Sequence, residues 1–224
     1  MTTILIPVTN HATLGNTDEA NGTYAPELTH ALAVFIKAGF TFQIASIKGG
    51  AVPIYGEDIE GDDVNSNILA DEAVKAQLQN SVPLNDIDIT RYDAIFYPGG
   101  FGLLSDLAED SGFANLAATL YENNGIIGAV CHGPAALLPI TLQSGETLLA
   151  DKRVTGFTRE EEIDFGTISK IPFLLEESLA RKAKGYSKVQ PWLENVVVDQ
   201  RLVTGQNPAS AHGVATNMVS MLSQ

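Results

Sequence analysis

Short, β-rich, mainly apolar runs alternating with longer amphipathic ones constrain this chain most. The clearest is Ile126-Ile127-Gly128-Ala129-Val130, which has no polar side chain. Such a strand offers water no face and must be covered on both sides, as in a parallel sheet sandwiched between helices. Comparable β-rich runs lie at 3–8, 41–46, 94–97, 196–199 and 202–203. Helical periodicity fills the gaps at 24–38, 68–78, 113–123 and 208–222. In the first helix Leu28, Leu32, Phe35 and Ile36 share a face and Gly39 is the stop. Gly125 stops the third, and the last has Pro208 in its first turn with Asn207 as N-cap. Two stretches break the rhythm. Residues 48–67, glycine-rich and acidic, read as a loop excursion, and 157–191 as an inserted, mainly helical segment. The expected fold is α/β: one domain over 1–224, built on a doubly wound, mainly parallel, flavodoxin-like sheet.

Composition removes several functions. Asp and Glu number 27 against 13 Lys and Arg, a formal charge of -14. That charge repels nucleic acid and anionic membranes, so neither is expected as a partner. With one cysteine there is no internal disulfide framework and no CxxC metal or redox pair. No apolar run approaches membrane-spanning length and the N-terminus has no basic leader, so the expected compartment is the cytoplasm.

The one cysteine, Cys131, directly follows the 126–130 run, and a small-residue, helix-forming run, Gly133-Pro134-Ala135-Ala136, follows it. It therefore falls at a tight turn between a buried strand and a helix, with small neighbours Ala129 and Gly133. Lone cysteines are usually inert small hydrophobes. The adjacent His132 and the helix start favour a nucleophile instead, with a thiol expected to titrate below an ordinary cysteine provided Glu27 is protonated. Ligands of such sheets sit beyond the carboxyl ends of the strands. The loop Tyr97-Pro98-Gly99-Gly100-Phe101-Gly102 should line the same pocket and offer backbone N–H groups to an oxyanion. It lacks the Lys-Ser/Thr of a phosphate loop. The loop after the first strand leads to the helix bearing Glu27.

These residues resemble a known family. Ala129-Val130-Cys131-His132-Gly133-Pro134-Ala135, with Phe96-Tyr97-Pro98-Gly99-Gly100 upstream, is similar to the PfpI and Parkinson-disease-protein-7 superfamily, of class I glutamine amidotransferase-like fold. Val154-Thr155-Gly156-Phe157-Thr158 and Leu202-Val203-Thr204-Gly205-Gln206-Asn207-Pro208 extend the match in family order. The chain looks most like the heat-shock branch of glutathione-independent glyoxalases (glyoxalase III). That resemblance implies Cys131 as nucleophile, Glu27, five residues after Gly22, as proton carrier, and His132 oriented by an acid. Glu162 matches the acid best, with Glu160 and Glu161 beside it as alternatives. Gly99, Gly100 and His132 would supply oxyanion donors. Relatives usually read Gly-Gly-His-Gly where this chain has Gly99-Gly100-Phe101-Gly102, which implies a more apolar pocket. The resemblance also implies a homodimer.

The expected activity is that of a lyase of the hydro-lyase class. It converts methylglyoxal, a small reactive aldehyde, to lactate through a hemithioacetal on Cys131, with no cofactor and no metal. Glu27 and His30 at i, i+3 are a two-ligand pattern too small to hold one. Tyr24, Phe157, Phe173 and Trp192 are candidates for the pocket wall, and His11 and His212 for surface positions. Alternatives on the same cysteine are a peptidase, amidase or protein deglycase, and a stress chaperone or oxidation sensor. A true glutamine amidotransferase fits less well, because Ala211-His212-Gly213 stands where a His-x-Glu pair is needed.

Overall fold

The structure, a computed structural model, describes residues 1–224. Its strands are β1 (Thr3–Pro7), β2 (Thr23–Tyr24), β3 (Thr41–Ser46), β4 (Ile54–Tyr55), β5 (Val82–Pro83), β6 (Ala94–Tyr97), β7 (Ile126–Val130), β8 (Arg153–Val154), β9 (Gly185–Tyr186), β10 (Val196–Asp199) and β11 (Leu202–Gly205). Its helices are α1 (Ala25–Lys37), α2 (Asp63–Ala70), α3 (Glu72–Gln79), α4 (Ser111–Glu122), α5 (Arg159–Phe165), α6 (Leu175–Lys182) and α7 (Ala211–Leu222). Seven strands make the main sheet, in the order β10-β11-β7-β6-β1-β3-β5, and only β10 pairs antiparallel, against β11. The pairs β2-β4 and β8-β9 stand apart from it.

The alternation of side chains along each strand divides the core in two. Ile4 and Ile6 of β1, Ala94 and Phe96 of β6, and Ile126 and Val130 of β7 pack with Leu28, Leu32 and Phe35 of α1 and Val214 and Met218 of α7. Leu5, Ile95, Tyr97, Ile127 and Ala129 face the other way, onto Phe113, Ala117, Leu120 and Tyr121 of α4. Both faces of the central strands are thus dry, and each wholly buried Leu, Ile or Phe contributes about 1.5–3 kcal/mol. The chain winds outward from β1 through β3 to β5, then crosses back to β6 on the opposite side of β1. That reversal opens a crevice beyond the carboxyl ends of β1 and β6.

Several local expectations are corrected. Residues 68–78 are not one helix, because Asp71 ends α2 and caps α3, accepting from the N–H groups of Ala73 and Val74. Aspartate serves better as a cap than inside a helix. The 48–67 excursion holds β4 and the start of α2. Ile36 is exposed, since it lies one residue, a rotation of about 100°, beyond Phe35 on the helix. The segment after Cys131 is a 3-10 turn, Gly133–Leu137, not an α-helix. A similar 3-10 turn, Pro208–Ser210, precedes α7, and the Asn207 side chain does not cap it. Within 157–191 lie α5, α6 and β9, with irregular chain between them. No helix is long and apolar enough to cross a membrane.

Candidate active site

β7 ends at Val130, and Cys131 takes φ 59°, the left-handed region that a non-glycine residue enters only when its surroundings enforce it. Two hydrogen bonds do so. The Cys131 N–H donates to the Gly205 carbonyl at 2.9 Å, and the Cys131 carbonyl accepts from the Phe157 N–H at 2.9 Å. The thiol therefore sits at the carboxyl ends of β7 and β11, beside the crevice.

His132 is buried, with Nδ1 3.4 Å from Cys131 Sγ and Nε2 2.8 Å from Glu162 Oε1. The first turn of α5 separates three consecutive glutamates. Glu160 faces water and pairs with Lys188. Glu161 is buried as N3 of a capping box with Thr158. Glu162, one position on, reaches His132, and its other oxygen accepts from the Thr167 hydroxyl. With Nε2–H donating to Glu162, Nδ1 is left with a lone pair directed at the thiol.

Glu27 enters from α1, fully buried two residues into the helix. Neither carboxyl oxygen has a partner at full hydrogen-bond geometry, and the groups facing it are the Cys131 thiol and the Gly99 N–H. A side chain at position 99 would collide with the Glu27 carboxyl and with Cys131 Cβ, so only glycine allows this approach. Gly100 takes φ 122° and lies against the backbone of residues 22–24. The Gly99 N–H is directed at Glu27, and the N–H groups of Gly100 and His132 have no acceptor among the backbone hydrogen bonds of the turns and loops.

Burial dominates the electrostatics. It pushes the Glu27 carboxyl up to about 8, outweighing its two donors. Burial first, then the negative charge of Glu27, pushes the Cys131 thiol well above its ordinary value. The acidified thiol expected from sequence is thereby overturned. A five-residue 3-10 turn presents too short a dipole to offset the loss of water. At neutral pH the pair is uncharged, and the thiol depends on His132 Nδ1 to take its proton.

The cavity over Cys131 measures about 80 Å³ and is lined by Tyr24, Tyr55, Phe101, Phe157, Phe165 and Trp192, with Glu27, His132 and Pro208. At roughly 15–30 Å³ per water-sized particle it holds about three to five non-hydrogen atoms. No Lys or Arg lines it, so it offers no fixed cation to anchor a carboxylate or phosphate. The Phe101 ring lies 4.4 Å from the imidazole of His132, centroid to centroid, and makes that side of the cavity apolar. A larger hollow of about 650 Å³ at the other end of the sheet, beside Asp93 and Ile126, is lined by no Cys, Ser or His.

The structure thus brings Cys131, His132, Glu27, Glu162, Gly99 and Gly100 to one place. Tyr24, Phe157 and Trp192 line the cavity as expected, but Phe173 packs elsewhere, beside Leu138 and Arg181. His30 pairs with Asp62 at 2.9 Å, His11 bonds within its own loop and His212 is exposed. Tyr55 and Phe165 were not legible as wall residues. The one signal for Phe165 is Gly166 after it, the left-handed end of α5.

Fold and site together define a doubly wound α/β protein with a buried Cys-His-Glu constellation and a second, uncharged glutamate at the sulfur. The chain belongs to the DJ-1/PfpI family, whose profile matches residues 19–221. It is 31% identical to Glyoxalase 3 of Candida albicans, over 98% of each chain. It is 30% identical to the glutathione-independent glyoxalase HSP31 of Saccharomyces cerevisiae, over 98% of this chain and 97% of that one. Among solved structures, the Rapid Encystment Protein 24 KDa of Francisella tularensis superposes with a TM-score of 0.93 at 37% identity, covering 99% of both chains.

Proposed function

We propose that this protein is a glutathione-independent glyoxalase of the hydro-lyase class, converting methylglyoxal to lactate with Cys131 as nucleophile. The observation that carries the reading is Glu27. A carboxyl raised to about 8, facing the only thiol inside a cavity sized for a few atoms, suits shuttling a proton between adjacent carbons. The names of the relatives support the same substrate class.

The proposed reaction balances with water alone. Cys131 Sγ bonds to the aldehyde carbon while its proton passes to His132 Nδ1, which Glu162 orients through Nε2. The aldehyde oxygen, met by the Gly100 and His132 N–H groups, takes the proton of Glu27 to give a hemithioacetal. Glu27, now ionised, removes the hydrogen of the former aldehyde carbon, and the neighbouring oxygen takes the proton from His132, leaving an enediol. Glu27 delivers its proton to the second carbon and takes one from the hydroxyl on the first, which becomes a thioester. His132 then draws a proton from water as it attacks and returns it to the departing sulfur. Lactic acid leaves, and every group regains its starting proton.

The test is lactate formation from methylglyoxal with glutathione omitted. The expected outcome is turnover by the protein as it stands and none by Cys131→Ser, whose hydroxyl is a far poorer nucleophile. Equal turnover by a folded Cys131→Ser overturns the proposal. The same proposal includes the cytoplasm, which keeps a lone thiol reduced, and a homodimer, which sedimentation showing only monomer at micromolar concentration would exclude.

A further inference from the structure

We infer that Glu161, which does not line the cavity, is a positioning residue that sets the width of its mouth by holding Trp192 in place. The inference rests on the Cys131 site described above, though not on the reaction proposed for it.

Two of the cavity's lining residues stand well out in solvent, Phe165 at 58% exposed and Trp192 at 41%. They therefore form the entrance, while the remaining walls are buried or half-buried. Their rings lie 6.2 Å apart, Trp192 meets Phe157 edge to face at 5.7 Å, and Phe165 stacks on Phe101 at 5.9 Å. Rings at that separation are in aromatic contact, so the pair narrows the entrance and obstructs anything with a bulky substituent.

Nothing local favours this position for Trp192. Its backbone sits at φ 66°, which L side chains rarely adopt, in a stretch with no helix or strand of its own. What holds it is α5. The Trp192 N–H donates to Glu161 Oε1 at 2.9 Å, and its indole N–H to Asp164 Oδ2 at 3.4 Å. Glu161 is itself fixed on every side. Oε1 also accepts from Gln206 Nε2 at 3.2 Å and Asn207 Nδ2 at 2.8 Å, and Oε2 from the Thr158 N–H at 2.9 Å and hydroxyl at 2.8 Å. A group that can only accept thus meets five donors from four residues with no cation beside it. The carboxylate ties the start of α5 to the Trp192 loop and to the segment after β11. Because Phe165 and Glu162 are also on α5, one helix carries one wall of the mouth, the tether of the other and the partner of His132.

Cys131 is the only cysteine and Trp192 the only tryptophan, so each is a clean probe. The experiment measures Cys131 alkylation by iodoacetamide and by N-phenylmaleimide in the unsubstituted protein, in Trp192→Ala, in Glu161→Ala and in the double variant. Iodoacetamide is small and N-phenylmaleimide bulky, so the ratio of their rates reads the mouth. Trp192→Ala is expected to raise the bulky-to-small ratio by about tenfold or more, the scale on which pockets discriminate by size. Glu161→Ala should raise it about threefold or more and increase acrylamide quenching of Trp192 fluorescence with far-UV circular dichroism unchanged. In the Trp192→Ala background the Glu161 substitution should change the ratio by less than about twofold, as expected of a residue that acts through another.

An unchanged ratio in Trp192→Ala overturns the inference, as does an effect of Glu161→Ala that persists undiminished once Trp192 is gone. If Glu161→Ala does not fold, Glu161→Gln decides by the same cycle, since its single amide oxygen cannot serve both sides of the cluster. Because alkylation needs no turnover, a protein without glyoxalase activity but with these ratios would refute the proposed reaction and leave the mouth standing. The converse result would do the opposite.

Discussion

Replacing Glu27 by glutamine should change the stability of the protein by an amount that grows with pH in a defined way. Glu27 titrates at about 8 in the folded protein against 4.5 when free, because burial disfavours its charged form. Below pH 4.5 the group is protonated in both states and carries no penalty. Between 4.5 and 8 the unfolded chain ionises it while the folded protein does not, so stability is lost as pH rises, and the loss levels off above the folded value. At about 1.4 kcal/mol per pH unit, the 2.5 units between 4.5 and 7 amount to a penalty of about 3 kcal/mol at pH 7, against less than about 1 kcal/mol at pH 5. Glutamine has nearly the same shape and no charge to lose. The difference in unfolding free energy, variant minus parent, should therefore grow by about 2–3 kcal/mol from pH 5 to pH 7. Urea titrations at pH 5, 6, 7 and 8 with a common slope measure it. Any fixed cost of the new amide beside the Gly99 N–H shifts all points equally and leaves the slope intact. A difference that stays flat across this range would show that Glu27 is ionised in the folded protein and refute the proton-carrier assignment. The same substitution should lower lactate formation by about a hundredfold or more, the usual scale of lost acid–base help.

The remaining predictions concern the other groups at the sulfur. The kcat/KM for methylglyoxal should fall as pH rises through about 8, because ionised Glu27 can no longer protonate the aldehyde oxygen and places a negative charge beside the thiol. A profile flat from pH 7 to 9.5 would refute that. Glu162→Gln should lower activity by about tenfold or more, since an amide N–H facing Nε2 forces the His132 tautomer in which Nδ1 cannot accept the thiol proton. Glu160→Gln, at an exposed pair with Lys188, should leave activity within about twofold and stability within about 0.5 kcal/mol. Equal losses in the two variants would remove the distinction drawn between these glutamates.

Some of this was legible in the sequence because it is local. An unbroken apolar run such as 126–130 can satisfy its backbone and hide its side chains only as a strand covered on both faces, and with five further β-rich runs separated by amphipathic stretches it leaves a doubly wound sheet. Strand ends followed by small residues then place Cys131, Gly99 and Gly100 beyond the same edge, and spacing alone puts Glu27 in the first turn of α1. What only the tertiary structure decided was environment. Residues 160–162 are three identical side chains on one helical turn; about 100° of rotation per residue, set by how α5 docks, sends one to water, one to Trp192 and one to His132. The helix expected after Cys131 became a 3-10 turn. The thiol expected to be acidic is raised instead, because a pKa depends on the water a group has lost and on which charges lie against it, and no run of residues around position 131 specifies either.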